Sequence, residues 1–100
     1  MNEDSRYRRA VRAVWERSYG EYQQWPAGKR EAVQPAVNAL LAWLDGAHDE
    51  DDLVTRYWEA ADAPGNVLRP HLPPEIDEDD LLALEEACFW LRLRTLQDDR

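Results

Sequence analysis

Apolar residues recur every three or four positions along most of the chain, a spacing that predicts amphipathic helices. The first helix is predicted over residues 3–24, and its apolar stripe holds Tyr7, Val11, Val14, Trp15, Ser18 and Tyr22. The pair Trp25-Pro26 ends it, because the residue before a proline avoids the α region. No stretch alternates with a period of two for long enough to predict a strand.

A second helix is predicted within residues 27–45. It carries two adjacent apolar stripes, one of Val33, Val37, Leu40, Leu41 and Leu44 and one of Ala32, Ala36, Ala39 and Trp43. A helix that is apolar over so much of its circumference is expected at the centre of the bundle, and Gly46 is expected to stop it. Pro35 removes a backbone donor and clashes with the preceding turn. Either the helix begins at Pro35 or a short first helix meets a kink there, and we favour the kink.

The third helix is predicted over residues 49–62 and is followed by a proline-rich, ordered loop over 63–76. The inward positions of this helix are Leu53, Val54, Tyr57, Trp58 and Ala61. In the loop, Val67, Leu68 and Leu72 are apolar enough to hold the segment against the helices.

The last helix is predicted over residues 77–97, with two adjoining stripes that favour contact with two neighbours. They consist of Leu81, Leu84, Cys88 and Leu91, and of Leu82, Phe89, Leu93 and Leu96. The chain is therefore predicted to be an all-α, single-domain bundle of four helices, or of five if it breaks near Pro35. The short connections favour antiparallel neighbours.

The composition supports one folded domain. The chain has 100 residues, enough for one core, and its five Trp, four Tyr and one Phe argue against disorder. The longest apolar run, residues 39–44, is far shorter than the ~20 residues of a membrane helix. The N-terminal segment carries charges where a signal peptide is apolar. We therefore expect a soluble, cytoplasmic protein, and the excess of arginine, with eleven Arg to one Lys, is typical of a GC-rich bacterial source.

The formal net charge is −9, which disfavours direct binding to nucleic acid or to an anionic membrane. The charge is uneven, with a balance of +3 over residues 1–30 and −12 over residues 31–100. Two interpretations follow. The basic first segment packs beside acidic segments of the same fold, which we favour, or an acidic face meets a partner protein with a basic surface.

The pentapeptide DEDDL occurs at residues 49–53 and again at 77–81. Each copy stands where a helical stripe begins, so Asp49 and Asp77 are predicted N-caps whose carboxylates accept free backbone N–H groups. Asp80 is expected to reach back to the amide of Asp77, and Ile76 to touch Leu81. Calcium loops of the EF-hand type need ligands and a glycine where both copies have leucine or valine. Contiguous acids also splay around a helix axis rather than gather about two metal ions.

No catalytic constellation or cofactor motif is evident. His48 and His71 fall in predicted connections, and Cys88 lies on an apolar stripe. Glu85 and Arg92 fall within the apolar arc of the last helix, where we favour a gap between two stripes over a polar spot in a groove. We expect no metal, no cofactor and no enzymatic activity.

The aromatic residues give a better indication of function. Trp15, Trp43 and Trp58 fit core stripes, whereas Trp90 points away from its own stripe, near Arg94, and Trp25 lies in a turn. Exposed tryptophan near arginine is typical of protein interfaces; the equal alternative is that the loop at 63–75 or the first helix covers Trp90. The candidate partner-binding residues are these aromatic and arginine side chains and the acids of the two DEDDL copies. They are Trp90, Arg94, Trp25, Asp49, Glu50, Asp51, Asp77, Glu78 and Asp79.

The sequence thus favours a small acidic helical module that binds another protein. Inhibitors, antitoxins, immunity proteins and small assembly subunits have this size and charge. A homodimer through the Trp90 face is a further option. The alternative is a DNA mimic whose carboxylates imitate phosphates and block a nucleic-acid-binding surface, and a helical-bundle enzyme is the least favoured hypothesis.

Overall fold

A computed structural model describes residues 2–62 and 69–98, with side chains except those of residues 2–5, 60–62, 69 and 98. Four α-helices follow one another: α1 (Asn2–Gln23), α2 (Ala27–Leu44), α3 (Glu50–Asp62) and α4 (Glu78–Asp98). A 3-10 turn, Arg69–His71, precedes α4. The all-α bundle of four helices is confirmed, and every helix end lies within one residue of its predicted position. Val67 and Leu68 lie outside the described residues, and Leu72 packs against the core.

Pro35 lies inside α2, which is one helix from Ala27 to Leu44. A helix start at Pro35 and a separate fifth helix are therefore wrong, whereas a kink within α2 stays a prediction. Proline costs a helix interior the bond to the carbonyl one turn earlier, that of Glu31. Glu31 and Pro35 are both exposed, so the carbonyl that lacks its donor lies on the solvent side of the helix.

The contacts of α4 define the topology. Ser18 meets Glu86 and Trp15 meets Phe89, so α4 runs antiparallel to α1. Lys29 meets Asp80 and Arg92 meets Asp45, so α4 runs parallel to α2. The first two helices therefore run antiparallel, and both pack against α4.

The central helix is α4, not α2 as predicted. Its residues 83–89 are buried without exception over about two turns, and α1, α2 and α3 all pack against it. By contrast, Ala32 on the second stripe of α2 is exposed and Trp43 is only partly buried. The buried apolar residues form one cluster, with Trp15, Phe89, Leu40, Leu44, Leu53, Leu84 and Leu93 among its fully buried members.

Two arginines bind the C-terminal end of α2. Arg56 donates to the carbonyl of Trp43 at 3.3 Å and lies over its ring, and Arg92 donates to the carbonyls of Asp45 and Ala47. Gly46 does not adopt the left-handed conformation of a C-terminal stop. A Cβ at Gly46 would lie 3.1 Å from the Arg56 guanidinium, which would have to shift by a few tenths of an ångström.

Candidate functional site

The two DEDDL copies begin α3 and α4 as predicted. The Asp49 carboxylate accepts the N–H of Asp52 at 2.9 Å, and the Asp77 carboxylate accepts the N–H of Asp80 at 2.8 Å. Asp49 and Asp77 are thus confirmed as N-caps. Ile76 and Leu81 line one groove, consistent with the predicted staple. The expected hydrogen bond from the Asp77 amide to the Asp80 carboxylate is not found among the described residues. The Oδ2 atom of Asp80 instead lies 2.9 Å from Lys29 Nζ.

Ion pairs join the basic first segment to the acidic runs. Arg12 binds Glu50 through two hydrogen bonds of 2.6 Å, and Arg8 binds Asp51. Hydrogen bonding to Glu50 raises the pKa of Arg12 above its usual value. The favoured interpretation of the uneven charge, that basic and acidic segments pack together within one fold, is confirmed for these pairs.

The two acidic helix starts lie at opposite ends of the bundle. Glu50 and Asp51 face Arg12 and Arg8 in the first half of α1, whereas Asp80 faces Lys29 beyond the C-terminal end of that helix. The eleven residues from Arg12 to the end of α1 span about 16 Å. The two starts therefore do not form one negative surface. Of the acids at the start of α4, Glu78 and Asp79 are exposed.

The tryptophans singled out by the sequence are partly covered. Trp90 is partly buried against the core, while Arg94, one turn on, is exposed. Trp25 packs edge-on against Tyr22 at 5.4 Å, with Lys29 Nζ 4.2 Å from its ring centre. Trp25 lies near the start of α4 and Trp90 about three turns further along it, so the structure does not bring them together.

The most exposed tryptophan side chain among the described residues is that of Trp58, which was predicted to face inward. It is 48% exposed and stacks on Tyr7, itself 40% exposed, with ring centres 6.0 Å apart and planes at 18°. We call Tyr7 and Trp58 the aromatic pair. The sequence does carry a signal for this exposure. Trp58 follows Leu53 by five residues, which places it about 140° around the helix, at the edge of the apolar stripe.

The aromatic pair is held by rings that continue inward. Trp58 contacts Tyr57 at 5.3 Å, Tyr57 contacts Trp15 at 5.4 Å, and Trp15 stacks on Phe89 at 5.3 Å. Trp15 and Phe89 are fully buried. An exposed ring anchored in this way loses little conformational freedom when a partner covers it.

Four arginines lie close to Tyr7 in the sequence of α1. Residues 6–12 contain four arginines and no acidic residue. Arg8 and Arg12 are bound by α3, while Arg6 and Arg9 are exposed and have no partner among the described side chains. Arg6 and Arg9 lie about 100° and 200° around α1 from Tyr7, and the exposed Glu59 follows Trp58 directly, so charges of both signs lie near the aromatic pair.

A buried polar junction lies deeper in the bundle. The Glu86 carboxylate accepts hydrogen bonds from Ser18 Oγ at 2.8 Å and from the Tyr57 hydroxyl at 3.2 Å. Burial and the nearby Glu86 raise the pKa of Tyr57 to about 12. Glu85 is also buried, so the predicted gap between two stripes is wrong there. Ser18 and Glu86 are buried, so the junction is a structural contact between helices.

The remaining candidates for chemistry are placed as follows. Burial, with a smaller effect of the nearby Glu85, raises the pKa of the Cys88 thiol to about 12. His48 and His71 are exposed. Within residues 2–62 and 69–98, no group of three or more His, Cys, Asp or Glu side chains is arranged to hold a metal ion. None of the described helices is long and apolar enough to span a bilayer.

Comparison of the chain with protein-family models, with curated proteins and with solved structures finds no match. The functional proposal therefore rests on the geometry of this chain. Its most distinctive surface feature is the aromatic pair.

Proposed function

We propose that the chain is a helical protein-interaction module that docks on another protein through the aromatic pair. The single observation that carries the proposal is the exposure of Trp58 while it is stacked on Tyr7. Trp and Tyr are among the residues most enriched in interface hot spots, and the two rings meet on this surface. Inhibition of the partner, as by an antitoxin or immunity protein, and assembly with it are both compatible modes.

The way the helices are fixed supports a docking role. The ion pairs Arg12–Glu50 and Arg8–Asp51 join the start of α3 to α1, and the rings of Tyr57 and Trp15 hold the aromatic pair from below. A surface set by such contacts meets its partner with little rearrangement, which favours affinity.

The alternative of a DNA mimic requires a continuous face of free carboxylates. Glu50, Asp51 and Asp80 are engaged in ion pairs, Asp49 and Asp77 bind backbone N–H groups, and the two runs lie at opposite ends of the bundle. These acids give that alternative no support. An enzymatic role likewise lacks an accessible set of reactive groups among the described residues.

The test is affinity capture from the native host, with quantitative mass spectrometry of the proteins retained. Wild type and Leu82→Ala are expected to retain the same partner, because Leu82 is an equally exposed hydrophobic residue, at 52%, on another helix. Trp58→Ala is expected to reduce retention by about 10-fold or more, the loss typical of a hot-spot residue. Circular dichroism confirms that each variant is folded.

Tyr7→Ala provides a second variant on the other half of the aromatic pair, and Trp90→Ala and Trp25→Ala test the tryptophans favoured by the sequence. Retention that survives Trp58→Ala and Tyr7→Ala but falls in Trp90→Ala would place the docking surface on the Trp90 face instead. Unchanged retention in all four variants would refute the interaction hypothesis for these tryptophans.

A further inference from the structure

We infer that α3 is a lid on the bundle, which opens as a unit while α1, α2 and α4 stay packed together. The closed form described above predominates, and the open form is a minor state of the folded protein. This opening is a property of the fold and does not depend on the aromatic pair being a docking surface.

The lid helix buries the least of the four. Among residues 50–59 of α3, whose side chains are described, only Leu53 is buried, whereas α2 buries five side chains and residues 6–23 of α1 bury three. A helix of 13 residues is also too short to be stable without tertiary packing. Since segments with few buried apolar contacts open at a lower free energy than the core, α3 is the helix expected to open first.

The contacts that hold α3 on α1 lie mostly at the surface. Arg8 and Asp51 pair in solvent, with 41% and 67% of their side chains exposed, and pairs so exposed contribute little to stability. The aromatic pair is likewise at the surface. Arg12 and Glu50 form the firmest of these contacts, with two hydrogen bonds of 2.6 Å. The attachment of α3 to α1 therefore depends mainly on one ion pair.

The layer beneath α3 is partly polar. Tyr57 of α3 lies against Trp15 and donates to the carboxylate of Glu86, of which only 7% is exposed. A buried carboxylate is costly even when it accepts hydrogen bonds. The indole N–H of Trp15 is buried and has no acceptor among the described residues. Opening of α3 lifts Tyr57 from this layer and admits water to it, which offsets part of the apolar contact that is lost.

The chain is anchored on both sides of α3. On one side Arg92 of α4 donates to the carbonyls of Asp45 and Ala47, and on the other Leu72 packs against the core. The ring stacking and the hydrogen bond between α1 and α4 also do not involve α3. These contacts can persist when α3 opens, so they confine the opening to the segment between the two anchors.

The opening of α3 controls the aromatic pair, because Tyr7 belongs to α1 and Trp58 to α3. The two rings meet only in the closed form. Under the proposed function, a partner that covers both rings binds the closed form and therefore holds α3 shut.

The test is native-state hydrogen exchange of the full chain in low concentrations of urea, followed by NMR for single backbone amides. We expect the amides of residues 53–58 to share one opening constant, at least about 10-fold larger than that of residues 84–89 at the centre of α4. Their urea dependence is expected to be measurable but smaller than that of residues 84–89, because opening of α3 exposes only part of the surface that global unfolding exposes.

Two ion-pair variants separate the opening of α3 from global unfolding. Arg12→Gln breaks the pair between α1 and α3, so we expect the opening constants of residues 53–58 and of residues 84–89 to rise by the same factor, about fivefold. Lys29→Gln is the matched control, because it breaks a pair between α2 and α4 that persists when α3 opens. It is expected to change the opening constant of residues 53–58 less than about twofold. Glu50→Gln breaks the first pair from the side of α3 and replaces Arg12→Gln if that variant does not fold.

Three results would overturn the lid. The first is an opening constant and urea dependence of residues 53–58 equal to those of residues 84–89, which would mean that α3 opens only when the whole molecule unfolds. The second is exchange of residues 53–58 that differs from amide to amide or does not depend on urea, and the third is an equal effect of Lys29→Gln and Arg12→Gln on those residues. Retention of a partner in affinity capture is measured independently of all three, so the proposed function stands or fails separately.

Discussion

Cys88 shows how the centre of the bundle alters a single side chain. The thiol lies on α4 where that helix is covered on all sides, and burial raises its pKa from 9.0 to about 12. The reactive form of cysteine is the thiolate, so at neutral pH this side chain behaves as a small apolar residue.

The raised pKa of the Cys88 thiol predicts that the protein loses stability in alkali. Because its pKa is higher in the folded state, its contribution is complete below pH 9 and is lost as the pH rises from about 9 to 12. We expect this group to lower the free energy of unfolding by about 1 kcal/mol between about pH 8 and 10. Urea unfolding of wild type and Cys88→Ala at several pH values measures it.

Below pH 10 the loss of stability comes mainly from the thiol. The Tyr57 hydroxyl contributes at higher pH, because its pKa is 10.0 when unfolded and about 12 when folded. Cys88→Ala is expected to lack the additional loss whatever its starting stability. Parallel pH profiles for the two proteins would show that Cys88 makes no such contribution.

Single residues also show where the sequence is informative about this protein. Cys88 and the caps Asp49 and Asp77 were predicted correctly, because a cap or a stripe position depends on residues within one or two turns. Trp58 and Glu85 were not, because their exposure depends on which other helix covers them. The aromatic pair needs Tyr7 and Trp58, 51 positions apart, to meet in space, and no local pattern contains that distance.

At the scale of helices, the repeated acidic run predicts two separable capping effects. Asp49→Ala and Asp77→Ala are each expected to lower the free energy of unfolding by about 1 kcal/mol, since each removes an acceptor for a free N–H group. Asp79→Ala, which removes an exposed acid from the first turn of α4, is the matched control and is expected to cost less than about 0.5 kcal/mol. Equal effects of the three changes in chemical denaturation would contradict the assignment of the caps.

The continuous α2 makes a second prediction at this scale. Pro35→Ala restores the backbone donor within the helix at an exposed position, so we expect it to stabilise the protein by about 2 kcal/mol. Thermal unfolding monitored by circular dichroism measures the change. Ala32→Gly, at another exposed position of α2, is the opposite control and is expected to destabilise by about 1 kcal/mol. A Pro35→Ala variant that melts earlier than wild type would show that the proline serves the native structure.

The helix boundaries could be predicted from the sequence, whereas the identity of the central helix could not. Boundaries follow from prolines, caps and the end of a stripe, all of which are local, and each was predicted within one residue. Which helix is central depends on how many neighbours surround it. The sequence of α2 is apolar over a wide arc, but α4 has residues 83–89 enclosed by three helices, with the acids Glu85 and Glu86 among them.

Across the whole molecule, Glu86 joins three helices. Its carboxylate on α4 accepts from Ser18 on α1 and from Tyr57 on α3. Ser18→Ala leaves the buried carboxylate with one donor fewer, and we expect it to cost about 1–3 kcal/mol. Thr95→Ala removes an exposed hydroxyl that bonds its own helix at Leu91 and is expected to cost less than about 0.5 kcal/mol.

A double-mutant cycle with Tyr57→Phe tests the same junction. Because both hydroxyls bind one carboxylate, the effects of Ser18→Ala and Tyr57→Phe are expected to be non-additive by about 0.5 kcal/mol or more in denaturant unfolding. Additive effects would mean that the two contacts act independently.

The central position of α4 has a consequence for synthesis. The helix that α1, α2 and α3 all pack against is the last of the four to leave the ribosome, so Trp15, Leu40 and Leu53 emerge before the surface that covers them. Contacts between such distant parts of a chain slow folding and expose apolar surface to chaperones and proteases in the meantime. A nascent chain arrested before residue 78 is therefore expected to remain sensitive to protease, and to become resistant only after α4 has cleared the exit tunnel.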